Sequence, residues 1–179
     1  NIRTLIEIEI VDNPTGNNAS LFKCNEDGNG HAVFNLLDAA NQINPNPSLS
    51  FSFYASLADA TAEKNALPVN YTNTGTPTQT LYVIVKNQTG CKKQVTLTLN
   101  IYPKIVLTLT PKVETCKGSK DGSITVTKTG GTGAVEYSLD NSNWTNNNVF
   151  SNLTEGTYVV YARDTAKCTF SNTVILPEG

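Results

Sequence analysis

The chain contains 179 residues, a length that accommodates one large domain or two small ones. Its net charge of -2 and isoelectric point of about 5.4 argue against a nucleic-acid partner, which would require a basic face. Charged residues make up 16% of the chain, below the roughly 25% of an average soluble protein, so 22 Asn and 24 Thr supply much of the polar surface. Because Thr favours strands and Asn favours turns, the composition predicts an all-β chain with many turns.

The first half of the sequence predicts strands interrupted by short helical segments. Alternating or apolar patterns predict strands over residues 3–10, 20–24, 31–36, 48–56, 79–87 and 93–102. Residues 36–43 predict one or two helical turns that end before Pro45, and residues 57–67 predict a helix capped by Ser56.

The second half predicts five strands separated by Gly and Asn turns. The patterns cover residues 104–110, 122–129, 134–140, 156–164 and 171–176. In the fourth strand, Tyr158, Val160 and Ala162 share the face expected to enter the core. Short strands at this spacing indicate a sandwich, and both halves favour immunoglobulin-like modules. We therefore predict modules over 1–102 and 103–179 joined at a stiff Pro103 junction, with residues 1–10 as a candidate end strand of a preceding module.

Four cysteines are present, and no two lie at a Cys-x-x-Cys spacing. With a single His in the chain, a zinc site or a Cys–His catalytic pair is disfavoured, which leaves two disulfides and three connectivities. An internal repeat selects one of these connectivities. Residues 6–28 and 97–122 share the same order of a strand, a Pro-containing break, a cysteine and an Asp-Gly step, and each module closes on a second cysteine. This predicts bridges Cys24–Cys91 and Cys116–Cys168, and hence an oxidising compartment.

Two weaker patterns suggest sites. Asn25, Asp27 and Asn29 have the spacing of a calcium loop, but Leu36 stands where such a loop needs a bidentate Glu, and an Asn/Gly-rich turn is the favoured alternative. Trp144 lies among Asn residues, where it either stacks on a sugar or packs against the sheet. No cofactor other than this calcium is expected.

The second module resembles the SprB repeat of Bacteroidetes surface adhesins. The resemblance is carried by "CKGSKDGSITVTKTGGTGAVEYSLDNSNW" and "FSNLTEGTYVVYARDTAKC", over residues 116–168. The first module is similar to the immunoglobulin-like repeats that accompany such regions, through "CNEDGNGHAVFNL", "SFYASLADATAEKNAL", "YTN" and "LYVIVKNQTGC". The resemblance implies a secreted cell-surface adhesin of the gliding-motility type. The "DTA" pattern at 164–166 resembles the O-glycosylation acceptor of Bacteroidetes, with Thr165 as the acceptor.

The predicted function is a non-catalytic repeat region of a large surface adhesin, acting as a disulfide-stapled stalk or adhesive module. No enzyme is expected, since no two carboxylates pair as the acid and base of a glycosidase. Expected partners are a surface polysaccharide or another extracellular substratum and neighbouring repeats of the same chain. No nucleic acid and no membrane insertion are expected, because no apolar run approaches the ~20 residues of a membrane span. The alternative is a glycan-binding accessory module of a secreted hydrolase, with the chain interpreted as a fragment of a longer protein.

Overall fold

A computed structural model describes residues 12–179, so the strand predicted for residues 3–10 lies outside the described part of the chain. The described residues divide into two compact units. The first takes the described residues up to Lys23 together with His31–Asn100, and the second takes Cys24–Gly30 together with Ile101–Gly179. The predicted division into modules over 1–102 and 103–179 stays a prediction.

The described residues contain twelve strands and two short α-helices. In chain order they are β1 (Ala19–Cys24), β2 (Val33–Asn35), α1 (Ala40–Ile43), β3 (Ser50–Tyr54), α2 (Leu57–Ala62), β4 (Asn70–Thr72), β5 (Thr78–Lys86), β6 (Lys92–Tyr102), β7 (Val106–Lys112), β8 (Gly122–Thr129), β9 (Val135–Ser138), β10 (Val149–Leu153), β11 (Gly156–Asp164) and β12 (Thr169–Leu176). A 3-10 turn, Leu36–Ala39, leads directly into α1. The predicted all-β class with a short helix or two in the first module is confirmed.

The first unit is built on a four-stranded sheet in the order β1-β6-β5-β3, with a separate β2–β4 ribbon. Strand β5 lies inside this sheet and is buried on both faces. Leu81, Val83 and Val85 are fully buried on one face, and Ile84 packs with Ala60 of α2 on the other. This explains why "LYVIV" is a continuous apolar run and not an alternating one.

Helix α2 begins where the sequence predicts and ends earlier. The Ser56 side chain accepts the N–H of Asp59 at 3.0 Å, which confirms the predicted cap. The helix ends at Ala62 because Glu63 adopts a left-handed φ of 50° and its N–H closes the last turn. Residues 63–67, which the prediction included, therefore lie outside the helix.

The second unit is a sandwich of two three-stranded antiparallel sheets, in the orders β10-β8-β7 and β12-β11-β9. Its core contains the buried side chains of Ile105, Leu107, Ile124, Val126, Val135, Tyr137, Val160 and Ala162. Tyr158 packs against this core, so the predicted inward face of β11 is confirmed. Two antiparallel sheets that pack face to face in this way are the architecture of immunoglobulin-like modules.

The two Asp-Gly steps behave differently. Gly28 has a φ of +82°, as expected for a turn glycine. Gly122, by contrast, is the buried first residue of β8. A Cβ at that position would come within 2.7 Å of the Leu153 carbonyl oxygen, so a lack of space and not backbone conformation requires this glycine.

Candidate functional site

A single disulfide, between Cys24 and Cys168, joins two segments that are 144 residues apart in sequence. Their Cα atoms are 5.6 Å apart, and Cys168 is 1% exposed. Cys91 and Cys116 retain their thiols. The predicted bridges Cys24–Cys91 and Cys116–Cys168 are therefore wrong, although Cys24 and Cys168 are both bridged.

The length of β6 explains why Cys24 does not bond to Cys91. Asn25, next to Cys24, donates its N–H to the carbonyl of Tyr102, the last residue of β6, at 3.1 Å. Cys91 directly precedes the first residue of the same strand. A strand of 11 residues spans roughly 35 Å, whereas the Cα atoms of a disulfide lie within about 7 Å.

The same reasoning applies to Cys116 and Cys168. Cys168 directly precedes β12, which contains 8 residues. Lys117, next to Cys116, forms an ion pair of 2.9 Å with Glu178, which lies just beyond the other end of β12. About 26 Å of strand therefore separates the two positions. Each predicted pair placed its cysteines at opposite ends of a strand.

The Cys24–Gly30 loop is closed by its own side chains. Asn25 Oδ1 accepts the N–H of Gly30 at 2.9 Å, and Asp27 Oδ2 accepts the side-chain amide of Asn29 at 2.6 Å. All three predicted calcium ligands thus lie in one loop. The described residues contain no group of three or more His, Cys, Asp or Glu side chains that could hold a metal ion. The calcium site stays a prediction.

A five-residue hairpin, Asp164–Cys168, presents the second half of the bridge. Asp164 is 3% exposed, and its Oδ1 accepts the N–H of Cys168 at 3.0 Å. Its Oδ2 accepts the N–H of Thr132 at 2.8 Å, which ties the hairpin to the Gly-Gly-Thr-Gly turn. The carboxylate thereby fixes the backbone at the bridged cysteine.

Thr165, the predicted glycosylation acceptor, is an exposed residue of this hairpin. Its hydroxyl donates to the carbonyl of Thr132 at 2.7 Å, and its N–H donates to the same oxygen at 3.2 Å. A sugar attached to Thr165 Oγ1 would remove the donated hydroxyl proton but not the backbone bond. The modification stays a prediction.

Cross-strand pairing places Trp144 against a cation. Arg163 lies opposite Glu136 in the β11–β9 register, and its Nε donates to Glu136 Oε2 at 2.7 Å. The bridge between Tyr137 and the residue after Trp144 holds the indole ring near this pair. The Arg163 guanidinium carbon lies 4.3 Å from the ring centroid. One face of the indole is thus covered by protein, and only the other face could stack on a sugar. The sugar-stacking role of Trp144 stays a prediction.

Cys116 is an exposed thiol in the β7–β8 loop. Glu114, at 2% exposure, accepts the N–H groups of Gly118 and Lys120 at 3.0 Å each. Hydrogen bonds from Ser119, and then from Thr115, hold the pKa of Asp121 well below its usual range. Sequence reasoning missed this network, in which carboxylates fix the shape of the loop around the cysteine.

Two family models match separate parts of the sequence. Residues 20–105 match the Flavobacterium inter-domain disulphide bond domain, and residues 108–143 match the SprB repeat. Together the two matches support a SprB-type repeat protein. The SprB match confirms the resemblance drawn from the Cys, Asp-Gly and Gly-Gly-Thr-Gly order of the second module.

SprB repeats and their companion domain are typical of Bacteroidetes cell-surface proteins, and both families are non-enzymatic repeat or adhesion-type domains. Together the two matches are typical of surface repeat proteins of the gliding-motility type. Among the described residues, no helix is long and apolar enough to cross a membrane. A search of curated proteins found no match to the sequence.

Solved structures of Dscam immunoglobulin domains also match. The N-terminal four domains of Dscam1 isoform 6.44 are 16% identical with a TM-score of 0.34, over 90% of this chain and 44% of that chain. The N-terminal eight domains of DSCAM isoform 1.30.30 are 15% identical with a TM-score of 0.36, over 90% of this chain and 25% of that one. The chain spans less than half the length of these structures, and the likeness carries no functional argument.

Proposed function

We propose that the chain is a load-bearing segment of a cell-surface adhesin. The observation that supports this most directly is the Cys24–Cys168 bridge, which closes a covalent loop around all residues from 25 to 167. Every strand from β2 to β11 lies inside that loop. A pull on the chain ends can detach β1 and β12 from their sheets, but it then passes through one disulfide and does not reach the strands inside the loop.

The position of the bridge suits a protein outside the cell. Disulfides persist in oxidising compartments, and their reduction requires a thiolate to reach one of the sulfurs. Cys168 is 1% exposed and Cys24 is half-buried, so one of the two sulfurs is shielded from thiols in solution. The first matched family, described as an inter-domain disulphide bond domain, also agrees with a structural bridge of this kind.

The adhesive partner is a surface polysaccharide or another extracellular substratum, and neighbouring repeats of the same chain lie on the load path. Adhesion under flow loads such a protein along its length, so the bridge should matter more as shear rises. Forced unfolding depends on the unfolding rate, and a covalent loop removes the enclosed residues from that process.

The test is adhesion of cells whose surface protein carries Cys24→Ser together with Cys168→Ser. We expect normal attachment at low shear and a several-fold loss at high shear, with equal surface display measured by antibody labelling. Lys167→Arg, next to Cys168, is the matched control and should behave as the wild type. Equal detachment of all three strains at every shear would contradict a load-bearing role.

The alternative, a glycan-binding accessory module of a secreted hydrolase, depends on Trp144. Because Arg163 lies 4.3 Å from one face of the ring, at most the other face can stack on a sugar. A glycan array distinguishes the two proposals. Binding that disappears in Trp144→Ala but persists in Cys24→Ser would favour the accessory module.

A further inference from the structure

The outer face of the β12-β11-β9 sheet carries two neighbouring cavities. Along β11, Tyr161 and Arg163 point away from the core, because the residues that alternate with them are buried in it. Cross-strand pairing places Arg163 opposite Glu136 of β9 on one side and opposite Thr169 of β12 on the other. The two cavities are lined by this row of side chains and by the loops around the sheet.

The first of them, the Arg163 cavity, has a volume of about 300 Å³. Its polar lining consists of Glu136, Asn146, Arg163, Asp164, Thr165 and Lys167. Glu136 and Arg163 hold each other through a bond of 2.7 Å, yet their side chains remain 38% and 31% exposed. That bond uses only the Nε of the guanidinium, which leaves its terminal N–H groups to a ligand.

The second, the Tyr161 cavity, has a volume of about 430 Å³. Tyr161 lines it together with Thr169 and Ser171 of β12. Thr169 lies opposite Arg163 in the β11–β12 register, and Ser171 lies opposite Tyr161. Directly paired residues of antiparallel strands have their Cβ atoms about 4.5–5.5 Å apart. The Tyr161 cavity therefore lies beside the Arg163 cavity on the same face of the sheet.

One loop borders both cavities. Asn141 lines the Tyr161 cavity, and Asn146 lines the Arg163 cavity. Two backbone hydrogen bonds between Tyr137 and Thr145, of 2.8 and 2.9 Å, hold this loop to β9. The Asp140 carboxylate also accepts two backbone N–H groups of the loop, at 2.9 and 2.7 Å. The loop is thus fixed in shape, and both cavities are formed before a ligand arrives.

The lining of the two cavities is polar and electrically balanced. Its charged side chains are three carboxylates and three cations, namely Glu26, Glu136, Asp164, Lys104, Arg163 and Lys167. Its neutral polar side chains are hydroxyls and amides, namely Asn141, Asn146, Tyr161, Thr165, Thr169 and Ser171. A sugar hydroxyl both donates and accepts hydrogen bonds, so it suits a lining in which donors and acceptors alternate. A polyanion would gain no net attraction from such a lining, nor from a chain with a net charge of -2.

We propose that the two cavities bind an uncharged stretch of polysaccharide, with successive sugar units in the Arg163 and Tyr161 cavities. This rests on the proposed function, in which a surface polysaccharide is the adhesive partner, and it assigns the site and the ligand class. Affinity at one such open site need not be high. Neighbouring repeats of the same surface protein bind the same polymer together, and their avidity exceeds the affinity of each site.

The position of Trp144 provides the readout. It is the single tryptophan of the chain, and its ring lies 4.3 Å from the Arg163 guanidinium. The test is a titration of the intact 179-residue chain, followed by tryptophan fluorescence and by calorimetry. The probes are neutral oligosaccharides of glucose, mannose, galactose and xylose, and one oligosaccharide of uronic acid. We expect saturable binding of at least one neutral probe and no binding of the uronic acid probe.

Two variants locate the binding. Asn146→Ala removes an exposed amide from the Arg163 cavity, and Ser171→Tyr fills the Tyr161 cavity from an exposed strand position. Each should raise the Kd of the neutral probe by about tenfold or more. The control Thr157→Tyr adds the same ring at an exposed position of β11 that lines neither cavity, and it should leave the Kd unchanged.

The outcomes separate this proposal from the proposed function. Binding of no neutral probe by either method, or of the uronic acid probe alone, would overturn the assigned ligand class. Binding of a neutral probe with the wild-type Kd in both variants would overturn the assigned site and leave the polysaccharide partner in place. Neither failure would affect the load-bearing role, because detachment of the Cys24→Ser, Cys168→Ser strain under shear tests that role separately.

Discussion

Pulling the isolated 179-residue chain by its ends should give very different extensions before and after reduction of the Cys24–Cys168 bridge. The bridge removes 144 residue steps from the load path. Only the 23 residues before Cys24 and the 11 residues after Cys168 remain free to extend. At about 3.3–3.6 Å per residue, reduction should add about 475–520 Å of contour length.

Single-molecule force spectroscopy in the absence and presence of a reductant measures this directly. The matched control is the Cys91→Ser, Cys116→Ser double variant, in which only the Cys24–Cys168 bridge can form. It should show the same long gain on reduction as the wild type. The separate variant Cys24→Ser should show the full extension without reductant.

Equal contour lengths with and without reductant would refute the locked loop. A contour-length gain on reduction of about 52 or 67 residues per unfolding event would also refute the locked loop, because those are the sequence separations of Cys116 from Cys168 and of Cys24 from Cys91. Each such gain would instead indicate one bridge per repeat.

Three further predictions concern single side chains. Glu114→Ala leaves two loop N–H groups without their acceptor and should lower the free energy of unfolding, measured by urea titration, by about 2–4 kcal/mol. The control Glu155→Ala changes an exposed side chain and should alter the free energy of unfolding by less than about 0.5 kcal/mol. Hydrogen bonds from Lys86, and then from Lys92, lower the pKa of Glu63 to about 2 from 4.5. The stability that this group contributes is therefore complete above pH 4.5 and is lost as the pH falls toward 2. Glu63→Gln should flatten the dependence of the free energy of unfolding on pH in that window, and an unchanged pH dependence would contradict the ion pairs. Trp144→Ala should cost about 1–2 kcal/mol through the lost contact with Arg163, measured by thermal unfolding, while Trp144→Phe should cost less; no loss in either variant would show that the indole does not pack.

The strand pattern was readable from the sequence where strands are long and half-buried. Strands β8 and β11 have the predicted bounds, because apolar and polar residues alternate cleanly along both. Two strands were missed. Strand β4 has only three residues, too few for a period to show, and β10 contains a register shift between Ser151 and Leu153 that breaks its alternation.

The repeat was also readable, but the disulfide pairing was not. The repeat in the sequence indicates which cysteines occupy equivalent positions, but it does not indicate whether a disulfide closes one repeat or joins two. That choice depends on which end of a strand each cysteine occupies. Asn25 contacts Tyr102 at the far end of β6 from Cys91, and this contact separates two positions that the sequence places in one module.

Extracellular proteins are exposed to proteases, and the Gly-rich and Asn-rich turns of this chain are the kind of loops that proteases cut. The residues from 130 to 133 and from 141 to 148 both lie between Cys24 and Cys168. A single cut in either turn therefore opens a ring and does not release a fragment. The nicked chain keeps both ends on one covalent path, so a surface fibre assembled from such segments can be damaged in its loops and still stay attached to the cell.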